Sequence, residues 1–453
     1  MRRFDVVILG GGSGAESICG AGLEGLSIAV IEELRFGGEC PFVACMPSKA
    51  MLYSAALERA RLGRVPTKPD PNAYRTAAAR RDRVAEQRDD SQHLRMLQDQ
   101  GAVGVRGRGR ILKEGLLEVG GEQIEFHDLV IATGSEPTLP PISGLDQVEY
   151  WYSDRVLSAS QLPESAVVLG GGPVGCELAQ MLARYGCRTV LIELEDRLLW
   201  AEEPELGRAM AETLSADGVE VLIGRKVESV SAPSKEVVRV QREGSAPFEV
   251  QALVVAAGRR PRIRALGLES YGLKSDDLRL TIDQHCRALG QPHLFGVGDV
   301  TAVAPFTHTA NYQGRIVADQ LRGGHAVADY RAIPRAVYTD PPVAAVGLTR
   351  RQARDRGLDA VTATCSLGET ARAWAEDVTL GELVLVADRS RRVLIGAAIA
   401  GPGADESIGW AALAIKAELP LELLRDTVAP FPTYSEAYLP ALESLAEEVD
   451  TDT

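Results

Sequence analysis

The pattern that most constrains this chain is an apolar run closed by a cluster of glycines, because it occurs twice. Residues 4 to 33 read FDVVILGGGSGAESICGAGLEGLSIAVIEE, and residues 166 to 195 read AVVLGGGPVGCELAQMLARYGCRTVLIELE. Each copy has an apolar run of strand length, a glycine cluster, a helix-compatible stretch and a second apolar run ending in Glu. This order predicts a β-α-β unit. Parallel strands need such a crossover, so each copy is expected to start its own doubly wound sheet.

The spacing inside the clusters points to dinucleotides. In the first, which also includes Gly14 among the expected cofactor-binding residues, Gly10 makes the tight turn, Gly12 lets the backbone approach a pyrophosphate, and the small Ala15 permits close helix–strand packing. The helix N-terminus then offers N–H groups to the phosphates. Glu32, 22 residues beyond Gly10, would accept hydrogen bonds from a ribose. Gly170, Gly172, Gly175 and Glu193 repeat the arrangement. Two such sites suggest one tightly held cofactor and one that exchanges. An acid at Glu193 pairs with a free 2′-OH and repels a 2′-phosphate, which favours NADH; Arg197 keeps NADPH possible.

The rest of the chain is read more coarsely. A charged region at about 74 to 100 reads as helix with a solvated face. From about Pro334, AVYTDPPVAAVGLT and GELVLVADRSRRVLIGAAIAGPGADES predict an antiparallel meander with turns at DRS and GPG. The final EEVDTDT reads as a disordered tail. A hydrophobic content of 45% supports a large core, and a formal charge of −14 argues against nucleic acid as the main partner. Arg2 and Arg3 precede an apolar run that ends in glycines after six residues, so no signal peptide is expected. No apolar stretch approaches the ~18 residues of a spanning helix, and a cytoplasmic protein with no membrane partner is expected.

The stretch GGECPFVACMPSK, from Gly37 to Lys49, holds Cys40 and Cys45. Residues five apart in a regular helix have Cα atoms about 8.6 Å apart, beyond the ~7 Å that a disulfide spans. A bonded pair would therefore require a break between them, which Pro41 suits. A helix beginning near Cys45 would put Lys49 on the same face, with Pro47 in its first turn. No other cysteine or histidine pair completes a zinc site, so no metal is expected; a redox pair and two inert thiols both remain open.

The chain resembles the flavin-dependent pyridine nucleotide–disulfide oxidoreductases, a family that includes dihydrolipoamide dehydrogenase, mercuric reductase and glutathione reductase. The resemblance runs from about residue 4 to 445. It rests on Gly10–Ala15, Glu32, GGECPFVACMPSK, ATGS at 132 to 135, Gly170–Glu177, AAGRRP at 256 to 261 and GVGD at 296 to 299. It implies an α/β fold: an FAD-binding domain (1–150 and 277–333), an NAD(P)-binding domain (151–276) and a C-terminal α+β dimerisation domain (334–453), working as a homodimer. It also implies a redox disulfide, with Cys45 nearest the flavin and Cys40 meeting substrate. Lys49 would sit near the flavin, paired with Glu177. Gly38, Thr133, Gly134, Asp299 and the stretch Pro305 to His308, including Thr307, would contact FAD; Val227 and Gly258 would lie near the nicotinamide nucleotide. Pro173 stands where some members have an aromatic gate.

One departure bears on function. Disulfide-reducing members carry His-Pro-Thr-x-Ser-Glu near the C-terminus, whose histidine serves the partner subunit as acid/base. Here the stretch is PFPTYSEAY, 430 to 438, and Phe431 occupies the histidine's place. No histidine follows His325. Tyr434, Glu436 and His308 are the available substitutes. The extra N-terminal metal-binding domain and C-terminal cysteine pair of typical mercuric reductases are not expected. The sequence thus favours electron transfer from NAD(P)H through FAD and the cysteine pair to a small-molecule acceptor of quinone, dye or metal type. The alternatives are a reductase of a specialised disulfide and a non-catalytic redox-sensing flavoprotein.

Overall fold

The computed structural model describes residues 2–274, 277–288 and 290–450. The chain divides into two units. One comprises the residues up to Pro47, Arg81–Thr138 and Gly258–Asp329; the other comprises Ser48–Arg80, Leu139–Ala257 and the residues from Tyr330 on.

The first unit is built on β1 (Arg2–Leu9), α1 (Ser13–Cys19) and β2 (Ile28–Glu32), the predicted β-α-β unit. The sheet continues with β3 (Ala102–Arg106), β4 (Gly109–Lys113), β5 (Leu116–Val119) and β6 (Glu122–Ile131) in the order β3-β2-β1-β6-β5-β4, and Leu294–Gly296 also pairs with β6. β3, β2, β1, β6 and Leu294–Gly296 run parallel. The run Val6–Leu9 is apolar throughout because both faces are covered. Val6 and Ile8 pack with Ile18 and Val30 on one side, Val7 and Leu9 with Leu129 and Ile131 on the other. Chain order reverses at β1, and a ligand crevice opens at the carboxyl end of such a strand.

The second unit repeats this scheme. Glu220–Leu222, Arg188–Ile192, Ser165–Leu169 and Ala252–Val255 form a parallel sheet in that spatial order. One face packs with the helix Pro173–Arg184. The other packs with the antiparallel ribbon Val227–Ser234, Val237–Arg242 and Phe248–Val250. The expected meander is a five-stranded antiparallel sheet, Arg335–Val337, Val343–Gly347, Val393–Ala400, Glu382–Asp388 and Ala360–Ser366 in spatial order. The helices Ala404–Lys416 and Tyr438–Asp450 bury their apolar sides against it.

Two expectations need adjustment. The charged region is two helices, Pro71–Val84 and Ser91–Asp99, because Glu86, Gln87 and Arg88 are all left-handed, with φ of 50°, 54° and 61°. Its charges are not all solvated: Arg81 is 2% exposed and pairs with Asp82 at 2.9 Å. At the C-terminus the last helix runs on to Asp450, so Glu447–Asp450 of the expected tail are helical; residues 451–453 lie outside the described residues. No helix among the described residues is long and apolar enough to cross a membrane.

Candidate functional site

The two glycine clusters separate glycines the protein itself requires from glycines it does not. Gly10 and Gly170 have φ of +103° and +109°, and a Cβ on either would lie 2.2 and 2.5 Å from the carbonyl oxygens of Ala132 and Ala256. A Cβ on Gly14 would strike Val297 at 2.5 Å, and one on Gly175 would strike the Gly170 carbonyl oxygen at 1.9 Å. Turn and packing explain these four. Gly12 and Gly172 differ. Both have extended φ/ψ open to any residue, −82°/−166° and −76°/−178°. A Cβ on Gly12 would find only Gly38 Cα at 3.6 Å, and one on Gly172 would find nothing within 4 Å. The space in front of both is open, as a cradle for a pyrophosphate requires, and the donor set of helix-start N–H groups suits it.

Ala15 is fully buried on α1. Both acids tie strand ends to the glycine turns. Glu32 Oε2 accepts from Gly11 N at 2.7 Å and Oε1 from Leu34 N at 2.6 Å. Glu193 Oε2 accepts from Gly171 N at 2.5 Å and Oε1 from Glu195 N at 2.7 Å. A carboxylate has about four acceptor positions, so each retains capacity for a ribose hydroxyl. Arg197 donates to Trp200 O at 2.7 Å and pairs with Asp196.

The cysteine segment begins against the first cluster: Gly37 N donates to Gly11 O at 2.7 Å, and a Cβ on Gly38 would lie 3.0 Å from Gly12 Cα. α2 (Cys40–Val43) and α3 (Cys45–Leu62) follow, separated by Ala44 at φ −133°, ψ −99°. The helix therefore breaks between the cysteines, with Pro41 in the first turn of α2 and Pro47 in the first turn of α3. The Thr307 hydroxyl, at the start of the helix Thr307–Leu321, donates to Cys40 Sγ at 3.3 Å and lies 3.7 Å from Cys45 Sγ. By contrast, burial pushes the Cys19 and Cys187 thiols up to about 12 and raises that of Cys176, so these thiols are protonated at neutral pH.

Lys49, one turn along α3, makes the expected pair: Nζ donates to both carboxylate oxygens of Glu177, at 2.8 and 2.7 Å. Glu177 is buried at 7% exposure, and its Oε1 also accepts from Tyr338 N at 3.0 Å. The Tyr338 ring lies under the ammonium at 4.5 Å, a further interaction that the sequence reading missed.

A second network, also missed, starts at Glu39, the residue before Cys40. Arg259 Nη2 donates to Glu39 Oε2 at 2.6 Å and Arg262 Nη2 to Oε1 at 2.8 Å. Arg259 Nε also donates to Ser135 Oγ at 2.8 Å, and Ser135 Oγ donates to Asp299 Oδ2 at 2.6 Å. Asp299 and the cysteine segment are thus linked through charged hydrogen bonds. Thr133 Oγ1 donates to Arg262 O at 2.6 Å, Gly134 O accepts from Arg262 N, and Gly258 O accepts from Thr138 N. Gly258 thereby belongs to the first unit, whereas Val227, 8% exposed, is in the second and packs among the apolar residues of the ribbon. His308 is exposed, with its ring stacked on Phe306 at 5.2 Å.

The C-terminal segment offers no ready base. Phe431 is 76% exposed. Glu436 Oε2 accepts from Thr433 N at 3.1 Å in a capping box. The Tyr434 hydroxyl donates to Glu376 at 2.8 Å, and burial together with that carboxylate pushes it up to about 12. It therefore stays protonated at neutral pH.

Comparison with known proteins matches residues 4–314 to the pyridine nucleotide-disulphide oxidoreductase model and residues 333–442 to the dimerisation domain of the same family. A mercuric reductase of Streptomyces lividans is 32% identical, over 98% of this chain and 97% of that protein. A dihydrolipoyl dehydrogenase of Mycobacterium leprae is 32% identical, over 96% of this chain and 97% of that protein. Among solved structures, a Cu(II) complex of the HOCl-induced flavoprotein disulfide reductase RclA from Escherichia coli is 26% identical. It superposes with a TM-score of 0.86 over 98% of this chain and 100% of that one.

Proposed function

The chain belongs to the pyridine nucleotide–disulphide oxidoreductase family, whose members use FAD and NAD(P)H, and from that premise we propose that it passes electrons from NADH to a small acceptor that is not a disulfide. A quinone, a dye or a metal ion fits. The observation that carries this reading is the C-terminal segment: an exposed Phe431, a Tyr434 held protonated and a Glu436 engaged in a cap. When bound, FAD supplies hydride acceptance and onward electron transfer. Gly10–Ala15, Glu32, Gly38, Thr133, Gly134, Asp299, Thr307 and His308 would hold it. Gly170, Gly172, Gly175, Glu193, Val227 and Gly258 would hold the nicotinamide nucleotide. In this reading the protein works as a homodimer through its C-terminal domain, divided at the three boundaries given above.

The chemistry of the chain's own residues explains the preference. To reduce a disulfide, the Cys40 thiolate attacks one sulfur, forms a mixed disulfide and releases a thiolate that must be protonated. The Cys45 thiolate then attacks the Cys40 sulfur, restores the Cys40–Cys45 bond and releases the second thiolate, which also takes a proton. Phe431 can deliver neither proton, and acid–base help of this kind is worth ~10²–10⁴-fold. A metal ion needs no proton, and a quinone or dye takes its protons from water. Lys49, held by Glu177 as an ion pair, keeps its ammonium one turn along α3 from Cys45, where it favours the thiolate.

Steady-state assays test the proposal. Turnover of NADH with a quinone should far exceed turnover with lipoamide; fast lipoamide reduction would sink it. Retained quinone reduction in Cys40→Ser would show that electrons leave from the flavin. A second reading, reduction of a specialised disulfide that brings its own proton source, draws on the Thr307 hydroxyl set between both sulfurs. Loss of all acceptor activity in Cys40→Ser would favour it.

The Glu39 network yields a separate expectation. Glu39→Gln removes a negative charge beside Cys40 and leaves Arg259 and Arg262 cationic. The Cys40 thiolate then becomes more favourable, so its alkylation profile in a Cys45→Ser background should move down by up to about one pH unit. An unmoved or rising profile contradicts this.

A further inference from the structure

Midway along β6, where the strand Leu294–Gly296 begins to pair with it, the first unit's sheet holds a side-chain cluster that the reaction above does not use. His127 and Asp128 are consecutive on β6, and His293 immediately precedes the strand Leu294–Gly296. That strand pairs with β6 in the register Leu294↔Leu129, which sets His293 beside Asp128. The Leu129 N–H donates to the His293 carbonyl at 2.9 Å and fixes the alignment. His293 Nδ1 lies 3.0 Å from Asp128 Oδ1, and the two imidazole rings lie 4.3 Å apart at 52°. One ligand atom from each of the three residues falls within 4.8 Å of the others.

We propose that His127, Asp128 and His293 form a binding site for a divalent transition-metal ion. The donor set decides the class. Two imidazoles and one carboxylate suit Zn²⁺, Cu²⁺ or Ni²⁺, while Ca²⁺ and Mg²⁺ select all-oxygen sites. Metal–ligand bonds of ~2.0–2.2 Å put tetrahedral donors about 3.3 Å apart. The three donors lie within 4.8 Å of one another, wider than that, so binding draws the side chains together around the ion. A plain His–Asp ion pair accounts for His293 and Asp128 alone; the His127 ring, tilted at 52° against that of His293, brings a third donor within reach. A shared cation satisfies all three. Three protein ligands leave further positions to water, so the site is open and the ion exchanges readily. The chain's charge of −14 favours cation approach.

The site does not depend on the proposed acceptor, and its test reads binding alone. Full-length holoprotein with its cysteine pair oxidised is dialysed to equilibrium against Zn²⁺, beside a Cys40→Ser/Cys45→Ser variant. One ion per chain should be retained in both. His293→Ala and His127→Ala should each weaken retention at least about ten-fold; Asp128→Asn, close to isosteric, should do the same where an alanine variant folds poorly. Cu²⁺ in the same site should show nitrogen hyperfine structure in its paramagnetic resonance spectrum. No retained ion, retention indifferent to all three substitutions, or retention that vanishes with the cysteines would each overturn the proposal.

Discussion

Phe431→His should raise lipoamide turnover at least about ten-fold, toward the ~10²–10⁴-fold that a positioned acid–base group contributes. The substitution is structurally mild. Phe431 is 76% exposed on its own chain, so its replacement opens no cavity within that chain. Pro432, Thr433, Ser435 and Glu436 stay in place around it. Glu436 gives one oxygen to the Thr433 amide and, as a carboxylate, has acceptor capacity left to orient an imidazole. Quinone reduction should stay within about two-fold, because that route asks for no proton from this segment. The comparison needs both acceptors with wild type and variant, and thermal unfolding to confirm an unchanged fold. A folded variant with unchanged lipoamide turnover would mean that something other than the missing imidazole limits disulfide exchange. Gain with both acceptors alike would place the limit before the acceptor step.

The parts of this molecule that could be read in its sequence are those encoded by local periodicity. Both β-α-β units appear where apolar runs meet glycine clusters, since each is specified within about 30 residues. Helix geometry asked for a break between Cys40 and Cys45 only if the two bond, with Pro41 suiting one; the chain does break there, at Ala44. The strands Glu382–Asp388 and Val393–Ala400 flank the turn expected at DRS. What escaped depends on residues brought together from afar. Glu39 meets Arg259 across 220 positions, and His293 meets Asp128 across 165. No spacing rule links them; sheet register brings His293 to Asp128, and the tertiary fold alone brings Arg259 to Glu39. The left-handed run Glu86–Arg88 escaped for another reason: none of its residues is Gly or Asn, the usual signals for positive φ. Arg81 looked solvated because its neighbours are charged, yet the fold buries it beside Asp82. The Lys49–Glu177 pair came from resemblance, and no local pattern at either position would have found it.

Gly172→Ala and Gly175→Ala, two nearly identical changes three residues apart, should fail in different ways. At Gly172 the backbone is extended and an added Cβ meets nothing within 4 Å. Stability should therefore change by no more than about 0.5 kcal/mol. The methyl group projects instead into the space a pyrophosphate would occupy, so NADH affinity should fall at least about ten-fold, or ~1.4 kcal/mol. At Gly175 the Cβ would sit 1.9 Å from the Gly170 carbonyl oxygen, which is backbone and cannot swing aside. The helix Pro173–Arg184 must then move off the turn, at a cost of ~1–3 kcal/mol or more. The expected pattern is a Gly172→Ala protein that melts like wild type but binds NADH poorly, and a Gly175→Ala protein with lowered thermal stability. Titration of NADH by fluorescence, alongside thermal unfolding without nucleotide, separates the two quantities. Wild-type affinity in Gly172→Ala would show that the open space before this turn does not receive the pyrophosphate. The assignment of the second glycine cluster to the nicotinamide nucleotide would then fall with it.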